Sequence, residues 1–267
     1  MKIKSLKLVV FYCLGLILTF DAIAQNSPDH KTTAPVQLLP AKQDISLSGL
    51  DYESSKGWWA LSCDPTDSIC KITPSILEVS QSQFSPYGSH MDEESVPGQI
   101  LHWVPSPPIS TLFMFKPNPK SSLVKLVAGS IETYYYPVEG KDIFREIGST
   151  ESKLSLPNGV KAQLLPVMVL ANSKDRSLAG HSNRRLTLEL RIGAKRQTLI
   201  NSGFSLFNQD YLAWAGDLDG DGKLDLLINT SDCGKNITLF LSSLAKTGEL
   251  LGEAGRFEYL PTETGEC

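Results

Sequence analysis

The chain has 267 residues, of which 41% are hydrophobic, 8% aromatic and 20% charged, a composition that can close a core and excludes wholesale disorder, collagen and coiled coil. Its 25 Lys+Arg against 29 Asp+Glu leave a formal net charge of −4, which offers no basic footprint for a phosphate backbone, so nucleic acid is not expected as a partner. Sixteen prolines, 20 glycines and few long helix-forming runs predict a mainly β protein built of antiparallel sheets in two small modules.

In chain order, three lysines among the first seven residues precede an apolar run from Leu8 to Phe20 and a small-x-small step, Ala22-Ile23-Ala24, before Gln25. This pattern predicts a secretory signal peptide over residues 1–24 and a periplasmic or secreted protein. The run is shorter than the roughly 20 apolar residues of a spanning helix, so no membrane span is expected after cleavage. Removal of residues 1–24 takes away Lys2, Lys4, Lys7 and Asp21, which moves the charge from −4 to −6. It also takes away Cys13 and leaves Cys63, Cys70, Cys233 and Cys267. Four cysteines in an oxidising compartment predict two disulfides. Of the three connectivities, Cys63–Cys70 with Cys233–Cys267 is favoured because each bond then closes a segment inside one module. The cysteine spacings do not suit a zinc site.

Residues 25–45 are polar and proline-dotted, and read as a flexible linker. An N-terminal β module is expected over 46–120, with strands at Gly57–Cys63, Cys70–Thr73, Ile76–Val79, Gln99–Trp103 and Thr111–Phe115. The turn-forming Asp64-Pro65-Thr66-Asp67-Ser68 joins the first two. The proline cluster Lys116-Pro117-Asn118-Pro119-Lys120 marks the boundary to a C-terminal β module over 121–267. There, Leu186, Leu188, Leu190 and Ile192 alternate with Thr187, Glu189 and Arg191, the period of a half-buried strand, and Gly193-Ala194 turns the chain into Lys195–Ile200. Further strands are expected at Leu123–Ala128, Thr133–Tyr136, Lys161–Leu170, Tyr211–Ala215, Lys223–Asn229, Ile237–Leu241 and Arg256–Tyr259, with a short helix near Ser243–Leu251.

Residues 214–229 carry the most specific chemistry. Asp217, Asp219, Asp221 and Asp225 fall at loop positions one, three, five and nine, with Gly220 and Gly222 between them. Carboxylates packed so densely repel one another unless a cation joins them. Calcium takes six to eight oxygens, and alternate side chains plus the carbonyl of Lys223 at position seven would supply them. Position twelve is Ile228 and the flanks read as strands, which argues against an EF-hand. The expected ion is structural calcium. The stretch Gly216-Asp-Leu-Asp-Gly-Asp-Gly-Lys-Leu-Asp-Leu-Leu-Ile228 resembles the calcium loops of the FG-GAP and VCBS repeat family. That resemblance implies that Asp217, Asp219, Asp221 and Asp225 ligate calcium within a hairpin. A propeller needs about four or more blades and no second such loop occurs, so a complete propeller is not expected.

Catalytic motifs are missing: the chain has no Gly-x-Ser-x-Gly, no His-Glu-x-x-His and no phosphate-cradling glycine loop. His90 with Asp92, Glu93 and Glu94 forms a polar cluster near His102, and Trp58, Trp59, Tyr134, Tyr135 and Tyr136 are candidates, with His90, for binding a sugar or a protein surface. The expected function is an exported, calcium-stabilised binding or interaction module of the bacterial envelope or cell surface, non-catalytic, with an envelope protein or a polysaccharide as partner. The alternative is a secreted cell-wall or polysaccharide hydrolase, or an inhibitor of one.

Overall fold

Alternation of apolar side chains along short extended runs produces sheets that bury one or both faces, and the computed structural model contains three antiparallel ones. It describes residues 34–41, 45–48, 52–64, 69–84, 96–106, 108, 110–136, 151–170, 184–201, 211–229 and 235–259. The front sheet comprises β1 (Val36–Pro40), β2 (Ile45–Ser48), β3 (Ser55–Asp64), β4 (Ile69–Phe84), β5 (Val96–Val104), β6 (Thr111–Pro117) and β7 (Gly129–Ile131). Its order is β1-β6-β3-β4-β5-β2, with β7 also paired to β4. After β8 (Thr133–Tyr135) come β9 (Ser152–Ser155), β10 (Lys161–Leu170), β11 (Arg184–Ile192) and β12 (Lys195–Ile200), which make the back sheet in the order β12-β11-β10-β9. The middle sheet, β16-β15-β14-β13-β8, adds β13 (Leu212–Gly216), β14 (Asp225–Asn229), β15 (Lys235–Leu241) and β16 (Gly252–Tyr259). Mainly β, as the sequence predicts, the protein has antiparallel sheets, and among the described residues they form no closed propeller. Among the described residues, no helix is long and apolar enough to cross a membrane.

Both faces of the middle sheet are buried. Trp214, Leu227, Leu239 and Leu241 join the front-sheet core, which contains Trp58, Ile72, Leu101, Trp103, Phe113 and Phe115. Their sequence neighbours Ala215, Leu226, Ile228 and Phe240 join the back-sheet core with Ala162, Leu164, Leu188 and Leu190. The period-two rule thus sorts adjacent residues into two different cores. It explains why β14 reads as a continuous apolar run, Leu226-Leu227-Ile228, each at most 1% exposed.

Residues on both sides of position 120 share the front core, and β7 pairs with β4. All described strands belong to one compact unit running from residue 31 to 267. The proline cluster is accordingly a turn within that unit, with Asn118 N–H donating to Pro35 O at 2.8 Å. The expected linker contains a strand: β1 pairs along its length with β6 and buries Val36, Leu38 and Leu39 to 3% exposure or less. The apolar Val36-Gln37-Leu38-Leu39 run, short and flanked by prolines, is enough once a second sheet is available to cover it. Residues 122–125, expected as the start of a strand, form a 3-10 turn capped by the Ser121 hydroxyl. The helix expected at Ser243–Leu251 is replaced by the 3-10 turn Ser242–Leu244. Gly248, at φ +92°, interrupts any longer helix.

The predicted hairpin of β11 and β12 is present, with Ile192 opposite Lys195 and Gly193 at φ +58° in the two-residue turn. In β4, Pro74 falls between the segment paired to β7, which ends at Ile72, and the segment paired to β5, which begins at Ile76. There its missing N–H leaves that side of the ladder intact. Two glutamines clip irregular segments to the sheets by imitating a strand. Gln99 accepts from Tyr52 N–H at 2.7 Å and donates to Tyr52 O at 3.0 Å. Gln197 accepts from the N–H groups of Leu250 and Leu251 and donates to Leu251 O. Each bond contributes about 0.5–1.5 kcal/mol net.

The Cys63–Cys70 disulfide joins directly opposed residues of β3 and β4. In the chain-entropy model it contributes roughly 2.5 kcal/mol. Cys233 and Cys267 lie outside the described residues.

The front and middle sheets meet where β1 crosses β16, and the contact is so close that a Cβ on Gly255 would lie 2.0 Å from Val36 O. Because the opposing atom is backbone, Gly255→Ala is expected to cost about 1–3 kcal/mol through overpacking. Val127→Ala, at a side chain 80% exposed, should stay within about 0.5 kcal/mol. Urea midpoints of the two variants check this, and equal midpoints would show that β1 does not depend on the contact.

Candidate metal centre

The loop between β13 and β14 sits at one end of the middle sheet, where Gly216 pairs with Asp225. Gly216 has no room for a side chain: a Cβ would lie 2.4 Å from Glu132 O and 2.3 Å from the ring of Trp214. Next to it, Asp217 N–H donates to Glu132 O at 2.9 Å, which ties the loop to the segment leading into β8. Gly220 and Gly222 take φ values of +74° and +77°, the left-handed conformations that glycine adopts without strain. Leu218 and Leu224, 2% and 3% exposed, anchor the loop in the front and back cores respectively.

These constraints gather Asp217, Asp219 and Asp225, each offering one carboxylate oxygen within 4.8 Å of the others, an arrangement that could hold a metal ion. Asp217 organises the loop by accepting from Asp221 N–H at 3.0 Å and Gly222 N–H at 2.9 Å. Asp225, 0% exposed, accepts from Leu218 N–H and from Ser242 N–H, both at 2.8 Å. Asp219 is half-buried, with one oxygen held by the Ser243 hydroxyl. Burial raises the Asp219 carboxyl, with the charges of Asp221 and Asp217 adding to the shift and hydrogen bonds from the Ser243 hydroxyl and the Asp221 backbone opposing it. Burial likewise pushes Asp225 up to about 8, the charges of Asp219 and Asp221 adding to the shift while the two amide donors oppose it. The Tyr134 hydroxyl is pushed up to about 12, first by burial and then by the charges of Glu132, Asp217 and Asp225.

Of the four expected aspartate ligands the cluster thus contains three. Asp221 is turned toward the rim, where it accepts from Lys223 N–H and from the Ser242 hydroxyl and pairs with Lys223 Nζ at 3.0 Å. Lys223, expected to offer its carbonyl, is held through its N–H and Nζ by that same carboxylate. Among the described residues this is the loop's ion pair, and it leaves Asp225 with amide donors and no cationic side chain. Ser242 and Ser243, which the loop sequence does not contain, reach the site from the end of β15.

The aromatic candidates do not gather into one open face. Trp58 is 1% exposed, packs edge-on against Trp103 at 5.2 Å, donates from Nε1 to Ser55 Oγ at 3.0 Å and has Lys116 Nζ over its ring. It is a core residue, since the alternation that turns Trp59 outward turns Trp58 inward. Trp59 is half-buried against the front core, as is Tyr136, whose hydroxyl donates to Asp64 O at 3.0 Å. Tyr134 and Tyr135 pack on the back core. His90 lies outside the described residues, and His102 is exposed on β5 with its Nε2 3.4 Å from Ser80 Oγ.

No protein-family model, curated protein or solved structure matches the chain. The likeness to FG-GAP and VCBS loops is therefore carried by residues 214–229 alone.

The carboxyl of Asp225 gives a pH test. Its folded value, about 8, lies above the ordinary 3.8, so the stability it contributes without metal is complete below about pH 4 and is lost as pH rises through 8. Protein kept in chelator should accordingly lose on the order of a few kcal/mol between pH 4 and pH 8, and Asp225→Asn should flatten this slope. Chemical denaturation across that range checks it, and a chelated protein whose stability rises from pH 4 to pH 8 would contradict the burial of an uncompensated carboxylate.

Proposed function

We propose that the chain is an exported, calcium-stabilised β protein that serves as a binding or interaction module of the bacterial envelope or cell surface, without catalytic turnover. The observation that carries the reading is the cluster of Asp217, Asp219 and Asp225 at the end of a sheet buried on both faces. Three carboxylates gathered together, two of them buried, repel one another and cost several kcal/mol unless a cation meets them. Hard carboxylate oxygen donors suit calcium, whereas magnesium prefers to keep its waters. The ion's role is structural: it joins the β13–β14 loop to the turn after β15, at the end of the middle sheet. Export is supported by the N-terminal pattern of residues 1–24, and the resemblance to FG-GAP and VCBS loops accords with a surface or envelope protein.

Calorimetric titration of the chelator-stripped protein tests the metal. Calcium uptake is expected, together with a stabilisation of about 2.7 kcal/mol when calcium exceeds Kd 100-fold, seen as a rise of about 5–10 °C in melting temperature. Asp219→Asn and Asp225→Asn should remove both effects. No heat of binding and no thermal shift would overturn the cation reading. Turnover of peptidoglycan or a polysaccharide, lost on His90→Ala, would overturn the non-catalytic part.

A further inference from the structure

Both hairpins of the back sheet turn at the same end, because β10 begins at Lys161, next to the end of β11 at Ile192. We propose that the outward face of the back sheet at this end is a docking surface for a linear anionic polysaccharide. The inference deepens the binding-module reading above and rests on it.

Register sets one residue from each strand in a single row across the sheet: Lys153 of β9 lies opposite Gln163 of β10, Gln163 opposite Arg191 of β11, and Arg191 opposite Arg196 of β12. Alternation decides which way the row faces, since the flanking Leu154, Ala162, Leu164 and Leu190 all enter the back core. Lys153 and Arg196 are exposed, and Gln163 and Arg191 are half-buried. Neighbouring strands stand about 4.8 Å apart, so the row spreads three cations over roughly 14 Å. Lys161, two residues from Gln163 on the same face, and Lys195, beside Arg196 in the hairpin, are exposed as well. One row further along, Glu151 meets Lys153 at 3.6 Å and Glu189 meets Arg191. Those pairs do not cancel the cationic end, because among the described residues no carboxylate pairs with Lys161, Lys195 or Arg196. A cationic face on a chain of net charge −4 is a local concentration of charge rather than a general surplus. The polar side chains interleaved with it extend the match. Gln163 lies between Lys153 and Arg191, Ser155 opposite Lys161 and Thr198 opposite Glu189. Cations alternating with amide and hydroxyl groups suit an extended polymer that carries acidic groups among hydroxyls, which is an acidic polysaccharide.

Affinity electrophoresis of the full chain through gels containing dextran sulfate or uncharged dextran tests the assignment. Retention by dextran sulfate alone is expected at about 0.05 M salt, fading toward about 0.5 M as the charges are screened. Arg196→Gln and Lys161→Gln should each weaken retention about 2–5-fold, as for one exposed charge contact, and the double variant about 4–25-fold. Thr198→Glu, which sets a negative charge into the face, should weaken it too. Lys71→Gln and Lys120→Gln, exposed cations away from the back sheet, should bind as wild type does. Surface substitutions of this kind leave the melting temperature near the wild-type value, so the losses belong to binding and not to the fold. No retention of wild type, equal retention by uncharged dextran, or equal losses in Lys71→Gln and Lys120→Gln would each overturn the proposal. So would duplex DNA that competes as well as dextran sulfate, or full retention of Thr198→Glu and of the double variant. Cleavage of the polymer would instead overturn the non-catalytic reading on which the proposal rests, so the two failures are distinguishable.

Discussion

A carboxylate with no solvent exposure, Asp225 at the first position of β14, is the constraint around which the rest of the molecule is arranged. It lies where the middle sheet is covered on both faces, so hydration cannot stabilise its charge, and two backbone N–H donors offset only part of what water would supply. A buried charge in that position calls for an opposite charge. The loop answers by bringing two more carboxylates beside it, which worsens repulsion in the bare protein and creates the oxygen-rich corner a divalent cation favours. An ion bound there would link folding to its binding through one side chain, because the geometry that buries Asp225 is also the geometry that gathers Asp217 and Asp219.

The sheets explain why this corner is rigid. Leu218 and Leu224 enter opposite cores from the same loop, each contributing about 1.5–3 kcal/mol by burial, so the carboxylates between them have little freedom. Glu132 O receives Asp217 N–H on one side, and the Ser242–Leu244 turn closes the other through Ser242 N–H. The segments before β8, between β13 and β14 and after β15 thus meet at one point. Gly216, Gly252 and Gly255 are the places where backbones approach too closely for any side chain, and they mark how tightly the middle sheet is fitted to its neighbours.

Much of this architecture is written locally in the chain. The β11–β12 hairpin follows from the alternation of Leu186, Leu188, Leu190 and Ile192 and from Gly193, and the gathering of carboxylates in the β13–β14 loop from the spacing of its aspartates and glycines. What is not written locally depends on burial by distant elements. Val36–Pro40 lies in polar surroundings and becomes a strand because β6 offers a ladder and β16 covers it. Residues 122–125 carry a strand-like composition, but Ser121 caps them into a 3-10 turn. Trp58 and Trp59 are chemically alike in sequence, and only the facing of β3 decides that the first belongs to the core. Prolines such as Pro117 and Pro119 mark a turn as readily as a module boundary, and here they turn the chain within one compact unit. Ser242 and Ser243 reach the loop from 17 and 24 residues beyond the carboxylates they bind, so no motif around the loop could have announced them, and Asp221 was displaced from the cluster by its own rim contacts to Lys223 and Ser242.

The carboxylates gathered in this hairpin are the feature on which the cation reading stands. An anomalous difference map from crystals grown with calcium tests it most directly. A single strong peak is expected about 2.3–2.6 Å from carboxylate oxygens of Asp217, Asp219 and Asp225, with Asp221 at the rim. A map with no peak at these three residues, with Asp225 still buried, would contradict it.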